Sequence, residues 1–251
     1  MDHLRVSTIT AILTLSEIIN LQKVYDNTPI TDYITFIEYG SNNPPKGFSK
    51  KLLKRKRKKK EKKIFFNQIT LHVFFENKLM NVKLFNNGNI QTTGIKKTDQ
   101  APILINQLID YFQDINVFQD DVKLINHRLV CINSDFDIEY DVDREVLHRE
   151  IIELGMYSSF EPCIYPGVNI KYYINNNNCD GICCCENICN GKGRGDGDGN
   201  CKKVTIAVFT SGKIIITGGQ SLEQVNEAYR FIKNFMDEYK DVFELKNNIK
   251  V

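Results

Sequence analysis

Five of the eight cysteines crowd between Cys179 and Cys189, and Cys201 follows. This spacing suits free thiols or a metal better than a disulfide framework. Cys185 and Cys189 stand at C-x3-C spacing, with Cys179, Cys183, Cys184 and Cys201 as potential partners, so a tetrahedral thiolate zinc site is chemically available. The consecutive triplet Cys183 to Cys185, however, fits no regular finger spacing. The surrounding stretch, Asn175 to Cys201, is Asn- and Gly-rich with almost nothing to bury, and reads as a mobile loop. The expectation is no cofactor and no metal ligands, with zinc in the Cys179–Cys201 loop as the minor alternative.

A second group that could do chemistry is a run of charge. "KGFSKKLLKRKRKKKEKK", Lys46 to Lys63, holds twelve Lys or Arg against one Glu, a charge of +11. The whole chain carries only +2, which leaves −9 for the remainder. So dense a run cannot fold on itself, and reads as a solvated arm drawn to polyanions or as a nuclear-localisation signal. The plain alternative is a solubilising lysine-rich insertion.

Catalytic constellations are missing by comparison. No Ser-His-Asp, Cys-His or paired-carboxylate arrangement stands at a usable spacing, and "GKGRGDGDGN" lacks the Lys-Ser/Thr ending and strand-to-helix setting of a phosphate loop. His72 and His127 read as ordinary sheet residues. An enzyme is not expected. Apolar runs such as "APILINQLI" are far shorter than the ~20 residues that span a bilayer, and "MDHLRVSTIT" has no basic region followed by an apolar one. A soluble protein of a reducing compartment is the expectation, and 251 residues at 42% hydrophobic suffice for a sizeable core.

The elements that must carry these groups fall into two similar halves. "LFNNGNIQTTGI" and "VFTSGKIIITGG" are near copies, with Phe85 and Phe209 124 residues apart. Each half opens on an alternating stretch, "RVSTITAILTL" or "VKLINHRLVCI", and a helical connector follows. Next come "FFNQITLHVFF" or "YPGVNIKYYI", then a hairpin turning at Asn-Asn-Gly or Thr-Ser-Gly. A helix closes each half. In the second, Leu222, Val225, Ala228, Ile232, Phe235 and Tyr239 make one apolar face, with Ser221 and Gln224 as a capping box. Leu104, Leu108, Tyr111 and Ile115 play that part in the first. The division is 1–118, with an insertion at 46–63, and 119–251, with an insertion at 175–201.

"SSFEPCIYPG", "VFTSGKIIITGG" and the helix after it resemble the second repeat of the TATA-binding protein core, and "LFNNGNIQTTGI" resembles its first. The resemblance spans Leu4 to Tyr239 apart from the insertions. It implies an α+β saddle: two pseudo-symmetric repeats in a curved ten-stranded antiparallel sheet, helices on the convex side. It also implies a transcription initiation factor that binds AT-rich promoter DNA through the minor groove, bends it with aromatic wedges and recruits further factors.

Carried over residue by residue, the resemblance makes Phe66, Phe85, Tyr165 and Phe209 the wedges. Phe65 is an adjacent alternative to Phe66, and Tyr165 stands where Phe is usual. Asn126 matches the Asn that reads minor-groove acceptors, with Thr8 as its first-half counterpart. Thr93, Ile215 and Thr217 match further DNA-facing positions, Lys171 replaces an Arg, and Lys213 matches a phosphate-binding Lys that becomes Asn89 in the first half. Gln91, Lys83 and Arg128 make the face more polar than the family's. Glu161 and Pro162 match the docking site for a transcription factor IIB-like protein, with Cys163 replacing an acidic residue there. Partners implied are double-stranded DNA, that factor and the RNA polymerase initiation machinery, without a membrane, in a nucleus or a viral replication compartment. The competing expectation is a saddle-fold protein-interaction module that has lost DNA bending.

Overall fold

Alternation decides the strands. In the computed structural model, which describes residues 4–40, 42–50, 65–176 and 180–245, β1 (Arg5–Leu15) buries Ile9, Ala11, Leu13 and Leu15 and leaves Thr8, Thr10, Ile12 and Thr14 half-exposed between them. The same two-sided pattern runs through β4 (Gln68–Phe75), β5 (Lys78–Phe85) and β6 (Asn89–Ile95). It returns in β9 (Val168–Ile174) and β11 (Lys213–Gly219), and in part in β10 (Lys202–Val208), because period-2 side chains can bury one face while the other meets solvent. The remaining strands among the described residues are β2 (Ile34–Tyr39), the two-residue β3 (Lys46–Gly47), β7 (Leu124–Asp137) and β8 (Tyr157–Ser159). Among the described residues the helices are α1 (Leu21–Asn27), α2 (Gln100–Asp114), α3 (Arg144–Glu153), α4 (Leu222–Glu238) and α5 (Lys240–Phe243).

The chain forms two compact units, one of Thr8–Leu129, the other of Val130–Val251 with Met1–Ser7. In the first unit the antiparallel order is β3-β2-β4-β5-β6-β1, and in the second it is β7-β11-β10-β9-β8. Without the short β3, both units run through their strands in the same succession. The antiparallel α+β fold expected from the sequence is the one observed, with β3 additional to the ten strands. The units exchange ends relative to the halves 1–118 and 119–251, since Met1–Ser7 joins the second unit and residues 119–129 stay with the first.

Packing rather than propensity holds the closing helices, because each buried aliphatic or aromatic side chain contributes about 1.5–3 kcal/mol. On α4 the buried stripe is Val225, Ala228, Tyr229, Ile232, Phe235 and Met236. Leu222 and Tyr239, expected on that face, are 38% and 41% exposed, because they sit at the helix ends. The Ser221 hydroxyl accepts from Gln224 N at 3.3 Å, and the Gln224 amide oxygen reaches back to Gln220 N at 2.8 Å, one residue before the reciprocal partner of a capping box. Gln100 does the same for α2, accepting from Lys96 N and Lys97 N.

The described parts of both insertions are more structured than their composition indicates. Lys46 and Gly47 pair with Ile37 and Phe36, and the Lys46 ammonium donates to the Tyr25 and Asp26 carbonyls, so the first residues of the basic run are fixed by their partners. Residues 51–63 of that run lie outside the described residues. In the β9–β10 connection Tyr173 N donates to Gly181 O and Lys203 N to Gly191 O, both at 2.7 Å, which ties the loop onto the flanking strands.

Candidate nucleic-acid interface

The half-exposed strand faces of the two units carry most of the residues singled out from the sequence. In the first unit Gln68, Thr70 and His72 of β4, Asn81, Lys83 and Phe85 of β5, and Asn89, Gln91 and Thr93 of β6 share one side. Register sets Gln68 opposite Phe85 and Lys83 between Thr70 and Gln91. Phe48 and Lys50, at the start of the basic run, line a hollow of ≈340 Å³ together with His72, Asn81 and Thr93. The run therefore begins beside this polar face.

Each Thr-Gly step is a β-bulge. On β6 the register passes from Thr10↔Thr93 to Ile9↔Ile95, so Gly94 faces no partner residue. On β11 it passes from Thr217↔Asn133 to Gly219↔Ile132, and Gly218 is skipped likewise. Both glycines take positive φ, +117° and +98°, which explains why the sequence repeats Gly after Thr. The bulge aims the two threonines at the neighbouring strand. The Thr93 hydroxyl lies 3.3 Å from that of Thr10, and the Thr217 hydroxyl donates to the Asn133 amide oxygen. Asn133, which the sequence reading did not select, is thereby placed beside Thr217 on this face. Asn126 is exposed, and an odd step along β7 from Asn133 sets it out of alternation with that residue.

The two hairpin turns are also built alike. Gly88 N donates to Phe85 O and Gly212 N to Phe209 O, each at 3.1 Å. Gly88 and Gly212 take φ of +83° and +76°, and a Cβ on them would lie 2.5 Å from Glu17 O and 2.4 Å from Tyr140 O. Only glycine fits there. Phe85 and Phe209 are thereby held half-exposed at the strand ends.

In the second unit Tyr165 and Phe209 form an edge-to-face pair, ring centroids 5.7 Å apart at 61°. Gly167 makes room for them, since a Cβ there would lie 2.9 Å from the Tyr165 ring and 3.2 Å from the Phe209 ring. Tyr165 is 38% exposed. In the first unit Phe66 is 68% exposed in the turn whose Asn67 carbonyl accepts from Asn86 N, which sets that turn against the one beginning at Phe85.

Electrostatics distinguish the second unit. Lys213 and Arg5 both donate to one oxygen of the buried Asp135 carboxylate. Burial pushes the Asp135 carboxyl up, but the hydrogen bonds and charges of Lys213 and Arg5 outweigh it and hold the pKa below the ordinary value. Lys171 donates to the Thr205 hydroxyl at 3.0 Å, and its pKa is lowered by burial and by the neighbouring Lys203 charge. Ile215 is half-buried, in register between Ala207 and Asp135. Thr8 is half-exposed on β1, in alternation with Thr10.

Glu161 and Pro162 lie on an exposed turn, closed by Ile164 N and Tyr165 N donating to Glu161 O at 2.9 Å. Ile164, 85% exposed, adds an apolar side chain that the sequence reading did not select. Among the described residues no helix is long and apolar enough to cross a membrane.

An α+β protein with half-open antiparallel sheets, glycine-pinned hairpins and an aromatic at each hairpin turn is the class defined so far. Comparison with known proteins narrows it. Residues 132–239 match the family model described as transcription factor TFIID, or TATA-binding protein. A TATA-box-binding protein-like chain of Acanthamoeba polyphaga mimivirus is 28% identical over 95% of this chain and 66% of its own length, so this chain spans just under two thirds of that relative. The TATA-box-binding protein of Methanocaldococcus jannaschii is 27% identical over 64% of this chain and 69% of its own. The solved structure of the Methanococcus jannaschii TBP superposes with a TM-score of 0.54 at 17% identity, covering 96% of this chain and 99% of that one. The chain is thus similar in sequence to TATA-binding proteins, and it shares the fold of the solved TBP over nearly its full length.

Proposed function

We propose that this chain is a transcription initiation factor of the TATA-binding type, which binds AT-rich duplex through the minor groove and bends it. The observation that supports this most is the Tyr165–Phe209 pair, half-open to solvent at the edge of a sheet face lined by Thr217, Thr205, Lys171 and Lys213. The minor groove over A·T pairs offers acceptors only, so hydroxyl and amide donors read it, lysines neutralise phosphate, and aromatic rings enter between base steps. Tyr165 and Phe209 are the wedge pair of the second unit, and Phe66 and Phe85 that of the first. Thr93, Thr217 and Asn133 supply groove-facing polar atoms, with Ile215 as an apolar contact, and Thr8 and Asn126 are secondary positions. Glu161, Pro162 and the exposed Ile164 form the docking turn for a transcription factor IIB-like protein that links to the polymerase machinery. The working location is a nucleus or a viral replication compartment.

A second reading has one specific observation in its favour. Asp135 places a carboxylate on the DNA-facing side and engages Lys213, which suits a protein-interaction module that has lost bending. End-to-end energy transfer on AT-rich against random duplex separates the two. Bending with a preference for the AT-rich duplex supports the first reading, and binding without bending or no binding supports the second.

A further inference from the structure

The β9–β10 connection of the second unit gathers Cys183, Cys185, Cys189 and Cys201 so that their sulfur atoms all lie within 4.8 Å of one another. Cys185 and Cys201 sulfurs are 3.2 Å apart, and Cys183 and Cys201 sulfurs 3.8 Å. A tetrahedron with zinc–sulfur bonds of about 2.3 Å has sulfur–sulfur edges of about 3.8 Å. We propose that these four cysteines bind one zinc ion in a closed, structural tetrathiolate site.

Chemistry and backbone both favour this ligand set. Four thiolates in a tetrahedral array select zinc among common divalent ions, and with no open position the ion is structural rather than catalytic. Residues two apart in an extended chain share a side, which brings Cys183 and Cys185 together and turns Cys184 away. Glycines let the loop turn this tightly. Gly191 takes φ +70°, and a Cβ on Gly193 would lie 2.3 Å from Asn200 O.

Backbone hydrogen bonds tie the loop to β9 and β10, but few apolar side chains pack within it. Cys201 is fully buried, yet Ile188 is fully exposed, so apolar burial does not organise the segment. Metal coordination adds folding free energy to these contacts, each thiol giving its proton to solvent as zinc binds. Lys202 and Lys203, which follow Cys201, supply positive charge against the net −2 of a zinc tetrathiolate. None of the four cysteines is among the residues assigned to DNA, so this inference stands apart from the DNA-binding reading.

The test uses the full chain purified under reducing conditions. Metal analysis should find close to one zinc per chain, and replacement by Co²⁺ should give the intense thiolate-to-cobalt charge-transfer absorption of a sulfur-only tetrahedral site. Cys183→Ser with Cys189→Ser should abolish both, and Cys163→Ser should abolish neither. A strong chelator should lower the melting temperature of the wild type. It should leave unmoved a variant in which a short turn replaces residues 175–201, which should still fold. Zinc far below one per chain, a Co²⁺ spectrum without charge transfer, or cysteines of this quartet linked as disulfides under reducing conditions overturns the proposal. Because the Co²⁺ spectrum is read on wild-type protein, misfolding of a cysteine variant cannot rescue it.

Discussion

The Lys213 ammonium nitrogen lies 2.5 Å from a carboxylate oxygen of Asp135, and the Arg5 guanidinium reaches the same oxygen at 2.7 Å. The lysine that the proposed function assigns to phosphate is thus already engaged, and on that proposal DNA must compete with Asp135 for it. Asp135→Asn should release both cations. Affinity for duplex should rise at low salt, and the log–log salt dependence should steepen by about 1–2, the number of phosphates newly neutralised. Salt-titrated binding isotherms read this directly. An unchanged slope would mean that Lys213 never meets phosphate.

The same carboxylate makes stability depend on acid. Its folded pKa is depressed below the ordinary Asp value of about 3.9, so the stability it contributes is fully present above that value and is lost as pH falls through the folded pKa. Wild type should melt above Asp135→Asn at neutral pH by an amount equivalent to roughly 1–3 kcal/mol. The gap should close below about pH 4. A gap that persists at pH 2 would place its origin elsewhere.

Wedge residues should separate folding from bending. Phe209→Ala removes half of the Tyr165 pair, which costs at most about 0.5–1.5 kcal/mol beyond lost burial, yet it should reduce the bend measured by energy transfer. Phe85→Ala should have the smaller effect on binding, because its face is lined by Gln91, Lys83 and Asn89. Tyr165→Phe should be tolerated, since a phenol hydroxyl gains little between stacked bases. If both alanine variants unfold and the wild type never bends DNA, the rings belong to the core.

Gly88→Ala and Gly212→Ala should each destabilise the fold by roughly 1–3 kcal/mol, because each combines positive φ with a Cβ driven into a carbonyl oxygen. Denaturant titration should show a lower midpoint at unchanged slope. A neutral result at Gly212 would refute the pinned turn.

Deleting residues 51–63 should weaken binding to every duplex alike and flatten its salt dependence, leaving sequence preference intact. Lys46 to Lys50 are kept in that variant because β3 belongs to the folded unit. Loss of preference with an unchanged salt slope would show the segment reading bases.

Much of this was legible in the sequence because it is local. Alternation, the Asn-Asn-Gly and Thr-Ser-Gly turns and the Ser221 cap are set by residues a few positions apart, and the structure keeps them. Asn133 was missed for a different reason. It sits opposite Thr217 as Thr10 sits opposite Thr93, and the spacing that relates Phe85 to Phe209 carries Thr10 to within one residue of it. The isolated Asn126 drew the reading away from that spacing. The Asp135 cluster could not be read locally, since Arg5 comes from the far end of the chain. The cysteine quartet was hidden by low complexity, because a consecutive triplet obscures which two of its members share a side.

The glycine-pinned turns at Gly88 and Gly212 also decide where this chain could be cut and rejoined. Each turn presses against a carbonyl of another segment, so new chain ends opened there would release the very strand ends that hold Phe85 and Phe209. The β9–β10 connection differs, because closing a longer loop costs only about 0.6 kcal/mol per doubling of its length. Circular permutants with termini between Asn175 and Lys202 should therefore keep the strand pairing of both units, whereas permutants opened at Asn87 or Ser211 should not.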